Sequence, residues 1–196
     1  ILPDMEVMKT LSWGWAIYLY VVNAAAIFVM YGAIELFWYV KRKQGTRFKY
    51  NSKFPAEQPS DVFWFKSQNI DNFARSFFIS IPLWTLIEVG ILYAYANGMV
   101  PWQTWADHPV YLAALMLVSP AIHEVHFFYH AVAVWHLIIP SNPILALFQL
   151  HSAGFGAVNG HIGFDKLELT EDTPLTTHAY AHYLHHKYFE VNYGGD

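Results

Sequence analysis

The chain contains an apolar run from Leu11 to Val40 in which Glu35 is the only charged residue. A helix needs about 20 apolar residues to cross the hydrocarbon core of a bilayer. Inside that core every backbone polar group must be hydrogen-bonded within the protein, so a spanning segment is helical or belongs to a closed barrel. The run is long enough for a helix, and the sequence therefore predicts a transmembrane helix over residues 11–40.

The composition supports a membrane protein and limits the chemistry of any metal site. Of the 196 residues, 55% are hydrophobic and 13% are charged, whereas soluble domains carry roughly a quarter charged residues. The length suits one domain. The absence of cysteine excludes disulfides and thiolate metal sites, so a metal here would need His, Asp or Glu ligands.

A basic segment follows the first predicted span. It holds six of the eleven Lys and Arg residues: Lys41, Arg42, Lys43, Arg47, Lys49 and Lys53. The positive-inside rule places such a segment on the cytoplasmic, matrix or stromal side of the membrane. The charges are read first as a topology signal, and binding of anionic lipid head groups is the alternative. Residues 41–75 are predicted as a basic, interfacial loop with a short helix.

The rest of the chain predicts further membrane segments. Residues 76–96 and 109–129 form apolar spans, while residues 131–150 are apolar but interrupted by Pro140 and Pro143. Each half of that last stretch is too short to cross a bilayer, which predicts a helical hairpin that enters and leaves on the same side. Residues 151–196 would then form a histidine-rich helical cap on the side of the basic segment.

The predicted fold is thus all-α, with a single membrane domain over residues 1–196 and about three transmembrane helices. Two carboxylates, Glu35 and Glu88, lie inside the predicted spans. Carboxylates within the bilayer usually face a bundle interior or a wet cavity. We favour a hydrogen bond to a neighbouring helix over a cavity for both residues.

Four histidines fall within nine positions near the C-terminal end: His178, His182, His185 and His186. On a helix, the last three stand at i, i+3 and i+4 and share one face, and His178 is one turn earlier on the same side. A lone histidine is usually a hydrogen-bonded core residue, but four together would repel each other when protonated. Converging imidazoles without cysteine suit iron, zinc, copper or nickel, so this cluster predicts a metal site.

A second cluster lies at the end of the third predicted span and contains His123, Glu124, His126 and His130. It is either a second metal-binding face or an interfacial cap of polar aromatic side chains, and the spacing leaves both open. His161 lies in the glycine-flanked segment 160–165 (G-H-I-G-F-D), where the backbone can bend tightly around a site. Nearby carboxylates, Glu124 and Asp165, are expected to orient the ring nitrogens of metal-bound histidines.

These motifs together resemble the fatty acid hydroxylase / sterol desaturase superfamily. The segment 160–165, the H-x-x-H-H motif formed by His182, His185 and His186, and the following Asn192-Tyr193-Gly194 carry the resemblance, which covers about residues 60 to 194. It implies a membrane-bound di-iron enzyme that uses dioxygen to hydroxylate or desaturate a lipid, a fatty acyl chain or a sterol. By position, His182, His185 and His186 match the last histidine box, and His161 matches an additional histidine of the site.

The sequence departs from the family pattern in one respect. Two earlier boxes of that family, H-x-x-x-H and a first H-x-x-H-H, are missing, and His130 is followed directly by Ala131 and the apolar hairpin. Two interpretations stay open. A longer form carries the two boxes and is an enzyme, or the protein is a non-catalytic accessory subunit of a membrane protein complex that has lost part of the metal site.

The resemblance also sets the expected cofactor and partners. Two irons are expected in a complete form, with zinc as a possible substitute. A lipid substrate is expected. An external electron donor is also expected, because no G-x-G-x-x-G dinucleotide fingerprint is present. No nucleic acid is expected. The catalytic residues, the lipid and the choice between endoplasmic reticulum, bacterial inner membrane and organelle stay open at this point.

Overall fold

The computed structural model describes residues 2–51, 53–116, 136, 138–170 and 173–188. Within these residues the chain is mostly helical, with two short strands. It divides into two compact units, one formed by Ile1–Gly45 with Ser52–Ala96 and the other by Thr46–Asn51 with Asn97–Asp196. Part of the basic segment therefore belongs to the same unit as the histidine clusters.

The described residues of the first unit form one short helix and two long helical segments. Helix α1 covers Met5–Met8 and α2 covers Trp13–Ile34, which continues in π-helical form through Glu35–Val40. After the loop, α3 (Gln68–Arg75) runs through a π-helical stretch, Ser76–Ser80, into α4 (Ile81–Ala96). The short helix expected in the interfacial loop is α3, and it is continuous with the second predicted span.

Two helical stretches among the described residues are long and apolar enough to cross a membrane: Trp13–Val40, with 28 residues, and Gln68–Ala96, with 29. Only 11% of the most apolar part of the first is buried within the protein. Side chains such as Ile17, Val21 and Val29 are more than half exposed. An apolar surface of this extent is unfavourable in water, and it suits contact with lipid or with another protein.

Helices α2 and α4 contact each other through a polar cluster in an otherwise apolar interface. The Asn23 amide on α2 donates hydrogen bonds to the Thr85 hydroxyl, at 3.1 Å, and to the Glu88 carboxylate on α4. All three side chains are buried, and Glu88 is 1% exposed. The buried carboxylate therefore has a hydrogen-bond donor on the neighbouring helix, as expected for Glu88 from the sequence.

The second unit contains helix α5, which covers Pro143–Gly160. Its first turn is capped by the Asn142 side chain, which accepts a hydrogen bond from the Ile144 backbone N–H at 2.9 Å. Proline at the first helical position fits because its missing N–H would have no partner inside the helix. The helix runs ten residues beyond Leu150, the last residue of the predicted hairpin. Gly160, which opens the glycine-flanked segment 160–165, is the last residue of this helix.

A β-hairpin connects α5 to the last described helix. Strands β1 (Lys166–Thr170) and β2 (Thr173–Thr176) pair antiparallel, and α6 covers Ala179–Tyr188. The prediction of an all-α fold is wrong in this segment. Leucine alternates with polar residues in β1, and this period of two favours a strand over a helix. Leu167 is buried on one side of the strand.

The third predicted span and the first half of the hairpin are only partly described. Residues 109–116 are helical, which agrees with the start of the span. Residues 117–135 lie outside the described residues, so the complete span and the shape of the hairpin before Pro140 stay predictions.

Candidate metal centre

Three imidazoles converge at the junction of α5 and α6. The Nε2 atom of His182 lies 3.3 Å from that of His161 and 3.0 Å from that of His186. One ligand nitrogen from each of the three rings lies within 4.8 Å of the others. Among the described residues this is the one group of three or more potential ligands brought together.

The helical framework explains how the three rings meet. His182 and His186 stand four residues apart on α6, so their side chains lie on one face of consecutive turns. His161 follows the last residue of α5 with φ −107° and ψ 7°, a conformation that ends the helix there. The turn after α5 therefore supplies His161, and one face of α6 supplies His182 and His186.

Thr177 ties these two elements together. Its hydroxyl donates a hydrogen bond to the Phe164 carbonyl, and its backbone N–H donates to the Asp165 carbonyl at 3.0 Å. The same hydroxyl accepts from the Ala179 N–H, at 3.4 Å, at the start of α6. The turn after His161 is therefore attached to the helix that carries His182.

The basic segment contributes to the framework as well. The Phe48 carbonyl accepts a hydrogen bond from the Asp165 N–H at 2.9 Å, and Arg47 forms an ion pair with Glu168 on β1 at 2.8 Å. Burial lowers the pKa of Lys49, which lies beside the Phe164 ring with 5.2 Å between its Nζ atom and the ring centroid. Part of the segment read as a topology signal therefore also contacts the turn and the strand that lie between His161 and α6.

Tyrosines cover the neighbouring face of α6. The Tyr50 ring stacks on Tyr183 with 4.9 Å between centroids and lies 5.8 Å from Tyr180. Burial raises the pKa of the Tyr50 hydroxyl, and the Asp165 carboxylate nearby raises it further, against the hydrogen bond with the Gly163 backbone. Tyr50 could not be predicted from the sequence because its partners lie far away in the chain, although the i, i+3 spacing of Tyr180 and Tyr183 is visible.

The separations of the imidazole nitrogens fit a shared metal ion. With metal–nitrogen bonds of about 2.1 Å, two ligands at right angles lie about 3.0 Å apart, and two at a tetrahedral angle lie about 3.4 Å apart. The observed 3.0 and 3.3 Å fall at these values. Two ligands on opposite sides of an ion lie about 4.2 Å apart, so the third separation, within 4.8 Å, requires at most a small rotation of one ring.

Hydrogen bonding between the rings alone explains the arrangement less well. The His182 Nε2 atom lies within hydrogen-bond distance of both His161 Nε2 and His186 Nε2. A neutral imidazole nitrogen carries either one proton or one lone pair, so it serves only one of these two contacts at a time. An ion that accepts all three lone pairs would satisfy the three nitrogens together.

The electrostatics of the site favour the neutral form of His161, which is the form that binds metals. Partial burial lowers the pKa of His161, and the neighbouring His186 lowers it further by charge repulsion. His182 is half-buried, while His161 and His186 are exposed to solvent. The site therefore lies at the surface of its unit, where an ion can enter.

The structure describes some of the predicted site residues and not others. The structure brings His161, His182 and His186 together. The side chain of His185 is not described, and His123, Glu124 and His126 lie outside the described residues. Their roles as ligands or orienting groups stay predictions.

His178 does not continue the histidine face of α6, contrary to the prediction. It lies before the first residue of the helix and has a positive φ of 54°, so the helical spacing that was to align it with His182 does not apply. Its carbonyl instead accepts a hydrogen bond from the His182 N–H at 3.3 Å. Asp165 is held through its backbone by Phe48 and Thr177, and its role as an orienting carboxylate stays a prediction.

No protein-family model, no curated protein and no solved structure matches the chain. An assignment of function therefore depends on the geometry of the three imidazoles and on the sequence motifs.

Proposed function

We propose that a longer form of this protein, which carries the two missing histidine boxes, is a membrane-bound, dioxygen-dependent hydroxylase or desaturase of the di-iron type, acting on a fatty acyl chain or a sterol. The observation that carries the proposal is the convergence of His161, His182 and His186. All three belong to the motifs that resemble the fatty acid hydroxylase / sterol desaturase superfamily. The two apolar helices support a location in the membrane, where a lipid would enter from the bilayer.

The residues of the site have distinct tasks in this proposal. His161, His182 and His186 would hold an iron ion through neutral imidazole nitrogens, which leave coordination positions open for dioxygen. Bound iron would supply the activation of dioxygen for attack on a C–H bond. Thr177 would keep the two histidine-bearing elements in register. Electrons would come from an external donor protein.

The number of histidine ligands limits how many metal ions this sequence can bind. Two irons sharing imidazole ligands need more histidines than the three that converge here together with His185. We therefore propose that the 196-residue chain binds one metal and does not oxidise lipid. A longer form, with the two missing histidine boxes between Tyr129 and Ala131, would bind two irons and be active.

A second candidate is a non-catalytic membrane subunit that retains part of an ancestral metal site. The observation that favours it is the missing pair of histidine boxes in the sequence. Such a subunit would keep the apolar helices and one metal for structural reasons, and it would act within a complex of membrane proteins.

A lipid-oxidation assay separates the two candidates. The 196-residue chain and a longer natural form are loaded with Fe²⁺ without oxygen and placed in lipid bilayers with a chemical or protein electron donor. Oxygen is then admitted, and lipid products are identified by mass spectrometry. The enzyme proposal predicts oxidised lipid only with the longer form. A longer form that oxidises no lipid under these conditions would support the accessory subunit instead.

A further inference from the structure

The last residue of α5, Gly160, lies against the imidazole ring of His182. A Cβ atom added at position 160 would lie 2.7 Å from Cδ2, 2.9 Å from Cγ and 3.1 Å from Nε2 of that ring. Separations below about 3 Å are far inside the ordinary contact distance between carbon atoms. The backbone at position 160 therefore approaches the ring as closely as it does only because the residue has no side chain.

The His182 ring has little freedom to move away from such an atom. Since Cγ is among the contacts, rotating the ring about its own axis leaves the clash in place, and χ1 must change. Within a helix few χ1 values avoid the preceding turn. Any such change would move Nε2 away from its two partners, His161 and His186, which lie 3.3 and 3.0 Å from it.

The glycine has no other evident reason to be there. Its φ is not positive, so the backbone conformation does not demand glycine, and within a helix glycine is less favourable than alanine. Gly156, one turn earlier on α5, has no described atom beyond its own helix backbone within 4 Å of the position its Cβ would take. Two glycines of the same helix thus differ in what a methyl group would meet.

We infer that Gly160 is a positioning residue for the metal centre: its bare backbone sets where the His182 ring lies and so fixes the nitrogen separations of the three-histidine site. The inference rests on the proposed metal-binding function of that site. It adds a residue that binds no metal itself and acts through His182.

The test compares Gly160→Ala with the matched control Gly156→Ala. Both variants add one methyl group to α5, and only the first should disturb the site. Each 196-residue chain, in detergent, is titrated with Co²⁺. The visible absorption of Co²⁺ reports the geometry of its nitrogen ligands. Gly160→Ala should raise the Co²⁺ dissociation constant at least tenfold and change the spectrum. Gly156→Ala should stay within twofold of the wild type with an unchanged spectrum.

A second measurement tests the contact without metal. In chains with ring-labelled histidine, NMR should show a nuclear Overhauser effect between the His182 Cδ2 proton and the Gly160 Hα protons. The effect should persist in Gly156→Ala, and in Gly160→Ala the His182 ring signal should shift. A wild type without this contact, or a Gly160→Ala variant with wild-type Co²⁺ affinity and spectrum, overturns the inference. A wild type that shows the contact but binds no Co²⁺ overturns the proposed metal site, and Gly160 then positions only the His182 ring.

Discussion

The Nε2 atoms of His182 and His186 lie 3.0 Å apart on consecutive turns of α6, and the Nε2 atom of His161 lies 3.3 Å from that of His182. Three like nitrogens at these distances are unfavourable when more than one ring is protonated. The arrangement is favourable when all three lone pairs point to one cation.

Substitution of a converging histidine should remove most of the metal affinity. His182→Ala and His186→Ala each delete one imidazole ligand. Because even the partners that orient a ligand contribute 10–100-fold to metal affinity, we expect a loss of roughly 100-fold or more. His178→Ala is the matched control, since His178 lies in the same segment but outside the converging group. Titration with Co²⁺ measures the effect, and equal losses in all three variants would contradict the assignment.

The stability of the metal-free protein should fall when the pH drops below 6.5. The folded-state pKa of His161 is lowered from 6.5 by partial burial and by His186, so the unfolded chain binds this proton more readily than the folded one. Stability from this group is therefore present above pH 6.5 and is lost as the pH falls toward the lower, folded-state pKa.

Thermal unfolding at pH 7.5 and pH 5.5 checks this dependence, with His161→Asn as the variant that cannot titrate. The midpoint of unfolding should drop less between the two pH values in His161→Asn than in the wild type. An identical drop in both proteins would show that His161 does not contribute.

The polar contact between α2 and α4 should contribute measurably to stability. Glu88→Ala leaves the Asn23 amide without one of its acceptors in a buried interface, and losing a buried partner costs about 1–3 kcal/mol. Glu88→Gln keeps a carbonyl acceptor and should be close to the wild type. Leu86→Ala is the control, because Leu86 is 65% exposed. Unfolding by heat in detergent measures all three, and a Glu88→Ala variant as stable as Leu86→Ala would argue against the contact.

Residues of the basic segment and of the β-hairpin should be labelled from the same side of the membrane. The Arg47–Glu168 ion pair joins these two segments. Because the chain has no cysteine, single variants Asn51→Cys and Thr176→Cys can be labelled directly with a membrane-impermeant maleimide. Asp107→Cys, in the loop that joins the predicted spans 76–96 and 109–129, should react only from the opposite face. Labelling of Asn51→Cys and Thr176→Cys from opposite faces would refute the topology.

Local patterns in the sequence were enough to predict the two long apolar helices and the shared face of His182 and His186 on α6. The unbroken run after Leu11 has the length and composition of α2, and the spacing of His182 and His186 places them on one side of any helix. The position of His161 could be suspected only from its glycine neighbours. Its contact with His182 depends on how α5 and α6 pack, which no short segment encodes.

The strands and the start of α6 were missed for physical reasons that operate over longer distances. The sequence predicts a helical cap over residues 151–196. The strand β1 forms in this range because it pairs with β2 and buries Leu167. His178 fits a helical pattern in sequence, but Thr177 is held by Phe164 and Asp165, so α6 begins only after His178. Tertiary hydrogen bonds therefore decide which histidines share a face.

The number of metal ions bound by the 196-residue chain tests the central claim most directly. The purified protein is loaded with Fe²⁺ or Co²⁺ without oxygen, freed of excess metal, and analysed for metal and protein content together with the His182→Ala variant. We predict one metal ion per wild-type chain and close to none in the variant. Two tightly bound ions per wild-type chain, or none, would contradict the account of a single three-histidine site.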